Sequence, residues 1–253
     1  MTAAEILALY DAQMRADPPL ETGIRHERVG AIVRAVGGDH AIIFSNLTGG
    51  DADEAIAEQA AFFRSIGAEV EWKVYGHDLP ADLDRRLRAA GFEPQERERL
   101  MALDLAVGLP GEPPPAGIEI RRVADAAGLE DLIAASSAAF GRDDRWKIEV
   151  FRPRLTDPTV GLYVAYAEGQ PVAAARLELA HGRCFAGLWG GGTVPSYRNR
   201  GIYRSLVAAR AREARRRGYR YLTADARETS RPILKRLGFV ALTSVTGWKL
   251  KPK

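Results

Sequence analysis

Residues 192–206 read GTVPSYRNRGIYRSL. An apolar run breaks at Pro195, Arg198 and Arg200 flank Asn199, and Gly201 stands just before a helical apolar pattern. A strand that leads through a short basic turn straight into a helix is suited to holding an anion. The first turn of a helix leaves about four backbone N–H groups without partners. The macrodipole adds roughly half a positive charge at the same end. Gly201 keeps the approach open, and Arg198, Arg200 and Arg204 surround it with charge. Each charged hydrogen bond to a bound anion is worth about 1.5–3 kcal/mol. The alternative reading of the turn is a basic helix start that faces water.

Other phosphate-holding turns do not fit. Gly187 and Gly192 approach the spacing of a nucleotide-hydrolysing loop, but no lysine follows to reach a phosphate. A dinucleotide turn of the form GxGxxG fails because Pro195 stands where its third glycine would fall.

The elements that must carry this turn follow from apolar period and from glycine and proline punctuation. The chain has 253 residues, 46% hydrophobic and 27% charged, as a soluble globular protein does. The stretch LPGEPPPAG (109–117) reads as a stiff, extended linker, since three consecutive prolines continue neither a helix nor a central strand. Before it the pattern predicts a helix over 2–16, strands near 29–36 and 40–45, a helix at 52–66, a strand at 69–75, a helix at 80–90 and a strand at 98–105. After it come a strand at 118–123, helices near 125–140 and 145–156, and strands at 160–167, 171–179 and 183–194. A helix at 200–217, a strand at 219–225, a helix at 228–237 and a strand at 239–250 complete the chain. Gly67, Gly91, Gly218 and Gly238 each follow a predicted helix as C-terminal stops. Both halves therefore end helix, Gly, strand, helix, Gly-Phe, strand, with Leu87–Phe92 echoing Leu234–Phe239. This order reads as two copies of one fold.

Charge divides with the copies. Residues 1–110 hold 11 basic and 19 acidic side chains, whereas residues 111–253 hold 25 and 14. The second half is thus the one equipped for an anionic ligand. In the first half, the corresponding helix start carries Asp51, Asp53 and Glu54, which suit the dipole and repel a pyrophosphate. The run ARAREARRRGYRY (209–221) places Arg212, Arg215 and Arg216 opposite the apolar stripe, with Glu213 spaced to pair with Arg216 or Arg217. It reads as a solvated face, so neither nucleic acid nor membrane is an expected partner. One cysteine, Cys184, excludes an internal disulfide and a CxxC metal knuckle. Cys184 is expected in the core and His181 in an exposed turn, and no metal site is expected. With neither a signal peptide nor an 18-residue apolar span in view, a cytoplasmic location is expected.

RNRGIY (198–203) resembles the (Arg/Gln)-x-x-Gly-x-(Gly/Ala) loop of the GCN5-related N-acetyltransferase (GNAT) superfamily, and TVPSY resembles its lead-in. RRRGYRYLTADA and ILKRLGF resemble its next helix end and strand and its penultimate helix. The resemblance covers about 117–250. It implies an α/β (α+β) protein of two GNAT-like domains, each a mixed, mostly antiparallel sheet flanked by helices. The domains are expected at 1–108, as a degenerate copy, and at 117–253, as the acetyltransferase domain, joined by the linker at 109–116. It further implies acetyl-CoA as co-substrate, with its pyrophosphate on the turn Arg198, Asn199, Arg200, Gly201, Ile202, Tyr203 and Arg204. The pantetheine arm would pair with Gly191, Gly192 and Thr193. Tyr203 departs from the usual Gly or Ala, and its place on the face of Leu206, Val207, Ala211 and Ala214 predicts a packing role.

Acyl transfer from a thioester to an amine needs a base for the amine and an acid near the sulfur. The Glu and Tyr that the resemblance implies are both absent: RCFAGLWGGGTV has no carboxylate, and Leu234 stands at the Tyr position. The expected substitutes are Glu178, which shares a strand face with Arg176, Asp225 at the end of the strand expected to splay from the cofactor strand, and Ser230 at the next helix start. Each has a structural alternative: an Arg176 partner for Glu178, and caps for Asp225 and Ser230. The expected function is acetyl-CoA-dependent N-acetylation of a small-molecule or peptide amine. The competing expectation is a non-catalytic acyl-CoA-binding or sensing protein.

Overall fold

The computed structural model describes residues 1–110 and 113–252; of the expected linker, residues 111 and 112 lie outside the described residues. Two compact units form. The first comprises residues 1–101, 225–231 and 241–252, and the second residues 102–224 and 232–240. The units therefore differ from two sequential halves, because the last strand leaves the half in which it is encoded.

In the first unit, helix α1 (Ala3–Tyr10) continues as a π-helical segment, Asp11–Ala16. Thr2 starts it with a capping box, its hydroxyl accepting from the Glu5 amide. Strands β1 (Arg25–Val29), β2 (Ile32–Val36) and β3 (Ala41–Ser45) follow, then α2 (Ala52–Ser65), β4 (Val70–Tyr75), α3 (Leu83–Ala89), the two-residue β5 (Glu93–Pro94) and β6 (Glu98–Asp104). Residues 98–101 of β6 belong to this unit. From the C-terminal end, β12 (Val240–Leu250) pairs antiparallel with β4, from Val245↔Tyr75 to Leu250↔Val70. The strand order is β1-β2-β3-β4-β12-β6, and β5 pairs with β12. Apolar alternation on β4 and β12 sends Trp72 and Trp248 into one core with Ile42, Ile56, Phe63 and Leu87.

In the second unit, β7 (Ile118–Arg122) leads to α4 (Ala126–Phe140), which Asp125 caps through the Gly128 amide at 2.8 Å. Helix α5 (Lys147–Phe151) and a 3-10 turn, Arg152–Leu155, precede β8 (Val160–Ala167), β9 (Gln170–Leu179) and β10 (Phe185–Thr193). After α6 (Ile202–Arg216) come β11 (Tyr221–Ala226) and α7 (Arg231–Arg236). Residues 221–224 of β11 and 232–236 of α7 belong to this unit, whose strand order is β7-β8-β9-β10-β11. Neighbours pair antiparallel except β10 and β11, which run parallel. The predicted face of α6 is buried: Leu206, Val207, Ala211 and Ala214 are fully enclosed.

The repeat is visible in one shared irregularity. The parallel pair β3/β4 is in register only at Ala41↔Glu71 and Ile42↔Trp72, and β10/β11 only from Phe185↔Tyr221 to Gly187↔Thr223. Each pair then parts. The two wedges so formed have different contents.

Candidate functional site

In the second unit β10 continues past Gly187 to Thr193 with β9 on one edge and no strand in register on the other among the described residues. A bulge lies between Trp189 and Gly192, where Gly190 takes φ +56°, a value that favours glycine. A Cβ on Gly191 would stand 3.1 Å from the Tyr203 ring and 3.5 Å from Arg210 Nη2. Tyr203 thus has the expected packing role: its ring occupies space that a side chain on residue 191 would need. Burial raises its phenol above the usual range, against the opposing charge of Arg210. On the other face, Phe140 and Ala139 press on Gly192, within 3.0 Å of where its Cβ would stand. Thr193 ends the strand with a buried hydroxyl that finds no hydrogen-bond partner among the described residues.

The turn then enters α6. Arg198 donates from Nε to the Thr193 carbonyl at 3.1 Å and from Nη2 to the Ala139 carbonyl at 3.0 Å, tying the end of α4 to the end of β10. Its head is therefore committed to backbone, whereas the exposed Arg200 and Arg204 supply free charge. Arg200 lies 5.0 Å from the Tyr197 ring centroid. Asn199 takes φ +63° and Gly201 φ +83°, and Gly201 is the N-cap of α6. Among the described residues no side chain caps this helix, and the first amide bonded back to it is Ser205 N to Gly201 O at 3.1 Å. The amides of Ile202, Tyr203 and Arg204 are left pointing outward.

Beneath the bulge lies a group that sequence reading missed. Arg210 is 1% exposed, donating from Nε to Leu206 O and from Nη1 to Arg176 O at 3.0 Å each, while Nη2 has no partner among the described residues. Burial pushes it down to about 10, so it stays charged at neutral pH. Arg210 lies inside the arginine-rich run 209–221, next to the buried Ala211, and nothing local in the sequence marks it as buried.

Each of the three expected catalytic groups has a partner of its own. Glu178, in the second unit, meets Arg176 Nε at 3.1 Å and Arg154 Nη1 at 3.9 Å. Asp225 and Ser230 fall in the first unit. Asp225 is 4% exposed and pairs with Lys73 Nζ at 3.3 Å, a partner distant in sequence. Ser230 donates its hydroxyl to the Arg227 carbonyl at 3.2 Å. His181 is exposed in its turn, and Cys184 is half-buried and outside any disulfide. Glu213 pairs with Arg216 and with Arg217, as the spacing predicts. Among the described residues no group of three or more His, Cys, Asp or Glu side chains could hold a metal ion. No helix there is long and apolar enough to cross a membrane.

The first unit's wedge holds its own side chain. Arg15, from the π-helical segment, donates from Nε to Ile43 O on β3 at 3.1 Å and places its guanidinium 3.7 Å from the Tyr75 ring centroid on β4. It also bonds both Asp78 oxygens at 2.8 and 2.7 Å and Asp11 at 2.7 Å, and is 2% exposed. The matching helix start is acidic as expected: Asp51 is the N-cap of α2, and Asp53 pairs with Arg86 at 2.7 Å.

Residues 127–239 match the acetyltransferase (GNAT) family model. Among solved structures, the chain is similar to a GCN5-related N-acetyltransferase from Kribbella flavida, at 19% identity over 99% of this chain and 96% of that one, with a TM-score of 0.74. It is similar to one from Sphaerobacter thermophilus at 17% identity, over 87% of this chain and 76% of that one, TM-score 0.64. A tandem GNAT protein from the clavulanic acid biosynthesis pathway shares 15% identity over 98% of this chain and 93% of that one, TM-score 0.62. These three likenesses are of fold. No curated protein matches in sequence. Residues 127–239 thus carry a GNAT acetyltransferase domain, and the chain as a whole shares the mixed, helix-flanked fold of its structural neighbours, a tandem GNAT protein among them.

Proposed function

We propose that the protein is an acetyl-CoA-dependent N-acetyltransferase whose second unit binds the thioester and whose acceptor is an amine. The observation that carries this reading is the uncapped start of α6 at Gly201, placed directly after a strand whose outer edge has lost its partner. The residues fit the group. The amides of Ile202, Tyr203 and Arg204, with Arg200 and Arg204 beside them, would hold a pyrophosphate. The open edge of Gly191, Gly192 and Thr193 would pair with an amide-bearing arm, and the unpartnered Thr193 hydroxyl offers a further bond. Acetyl-CoA supplies an activated acyl group there.

Glu178 is the carboxylate we assign to the acceptor side, where it would take the proton that an ammonium must shed before its nitrogen attacks. Asp225 and Ser230, the other two candidates, have local partners in Lys73 and the Arg227 carbonyl, which supports structural roles for them. Arg198 orders the turn from behind. Arg15 occupies the first unit's wedge, and that supports a single cofactor site per chain.

Free thiol release from acetyl-CoA should depend on added amine. An amine panel followed by thiol detection tests this, and amine-dependent release is expected. Saturable acetyl-CoA binding with no release on any amine would favour the non-catalytic acyl-CoA-binding reading, which the absence of a carboxylate on β10 supports.

A further inference from the structure

The face of β9 next to the wedge carries more cationic than anionic charge. Arg176 and Glu178 alternate on β9 and so point to the same side. In register across on β10 stand Trp189 opposite Arg176 and Gly187 opposite Glu178. Gly187 is also the last β10 residue paired with β11. The Arg176–Glu178 pair is therefore one strand away from the point at which the wedge opens. From the 3-10 turn after α5, Arg154 reaches the same Glu178 oxygen, Oε1, so two guanidiniums share one carboxylate.

Neither arginine is used up by that contact. Arg176 Nε lies 3.1 Å from Oε1 yet forms no hydrogen bond, so the pair is held by charge alone. Arg154 stands off at 3.9 Å. A guanidinium has five N–H donors in a planar fork that matches a carboxylate. Arg176 is fixed from below by the buried Phe151, whose ring centroid is 5.3 Å from its guanidinium carbon. All three charged side chains reach solvent, with 25–32% of each exposed.

We infer that the acceptor is a zwitterion: an amine bearing a carboxylate a few bonds away, as in an α-amino acid. Its carboxylate docks on Arg154 and Arg176, and its ammonium on Glu178. Adjacent charges of opposite sign on the ligand meet the reverse arrangement on the protein. A simple cationic amine would satisfy Glu178 while leaving its own cation beside two others. This inference rests on the acetyltransfer reading for the identity of the reacting group, although recognition itself is separable from turnover.

The test uses L-amino acids paired with the primary amines that differ from them only in lacking the α-carboxylate. In wild type the carboxylate-bearing member should show the higher kcat/KM by about tenfold or more, the size of one charge-assisted bidentate contact. In Arg154→Gln that ratio should collapse toward one, while acetyl-CoA affinity by calorimetry is unchanged. Equal or better turnover of the carboxylate-free amines would overturn the inference, as would an Arg154→Gln loss that falls equally on both members. If no amine turns over, the same pairs are titrated into wild type and Arg154→Gln with coenzyme A present. Binding that requires both the carboxylate and Arg154 upholds the zwitterion site and rejects catalysis; no binding of any amino acid overturns the site itself.

Discussion

Arg15→Ala should lower the stability of the first unit by about 3–5 kcal/mol, the range for removing one partner from a buried ion pair. Arg15 is the sole cation bonded to Asp78 among the described residues, and the Asp78 side chain is 3% exposed. Burial already pushes the Asp78 carboxyl above its usual range against the opposing pull of Arg15. Without the guanidinium, Asp78 must protonate or draw in water, and the Ile43 carbonyl loses its donor. The Tyr75 ring loses a stacked cation as well. A fall in the urea midpoint at unchanged slope would report this. The double variant Arg15→Met/Asp78→Leu, which removes both charges and keeps volume, should recover most of the loss. Acetyl-CoA binding by the second unit should survive in both variants.

Gly201→Glu should weaken acetyl-CoA binding by at least about a hundredfold, roughly 2.7 kcal/mol. Two effects add. Gly201 holds φ +83°, where a residue with a Cβ is disfavoured by about 1–2 kcal/mol. That Cβ would also sit 3.3 Å from Arg204 Nη2 and 3.5 Å from Pro115 Cγ, so the side chain enters an already tight turn. The larger effect is charge: a carboxylate at the helix N-terminus competes with the pyrophosphate for the same amides. Gly201→Ala carries only the backbone effect and should lose about tenfold. Calorimetric titration of the two variants separates the contributions, with circular dichroism to show that α6 remains folded.

Much of the second unit was legible because its signals are local. The lead-in, basic turn, glycine and amphipathic helix at 193–216 are one continuous stretch, and β10, the turn and α6 appear where the pattern put them. Period-two alternation placed Arg176 and Glu178 on one face, and the ion pair follows. The misses are non-local. Nothing within residues 239–250 says that this strand will pair with β4, 170 to 180 positions upstream, and so complete the first unit's sheet. Asp225 looked like a free carboxylate at a strand end because Lys73 is remote in sequence. Arg15 lies near the end of the helix predicted at 2–16, and nothing local shows that the π-helical turn aims it between β3 and β4. Arg154 sits in a short 3-10 turn after a proline, where no periodicity assigns a side chain to a face.

The unequal contents of the two wedges lead to a count. Calorimetric titration of acetyl-CoA into the wild-type chain should give one saturable site per chain, because the second unit's wedge leaves β10's edge open and the first unit's wedge holds Arg15. The same site should weaken by at least about a hundredfold in Gly201→Glu. No binding, two equivalent sites, or a site of unchanged affinity in Gly201→Glu would contradict the account.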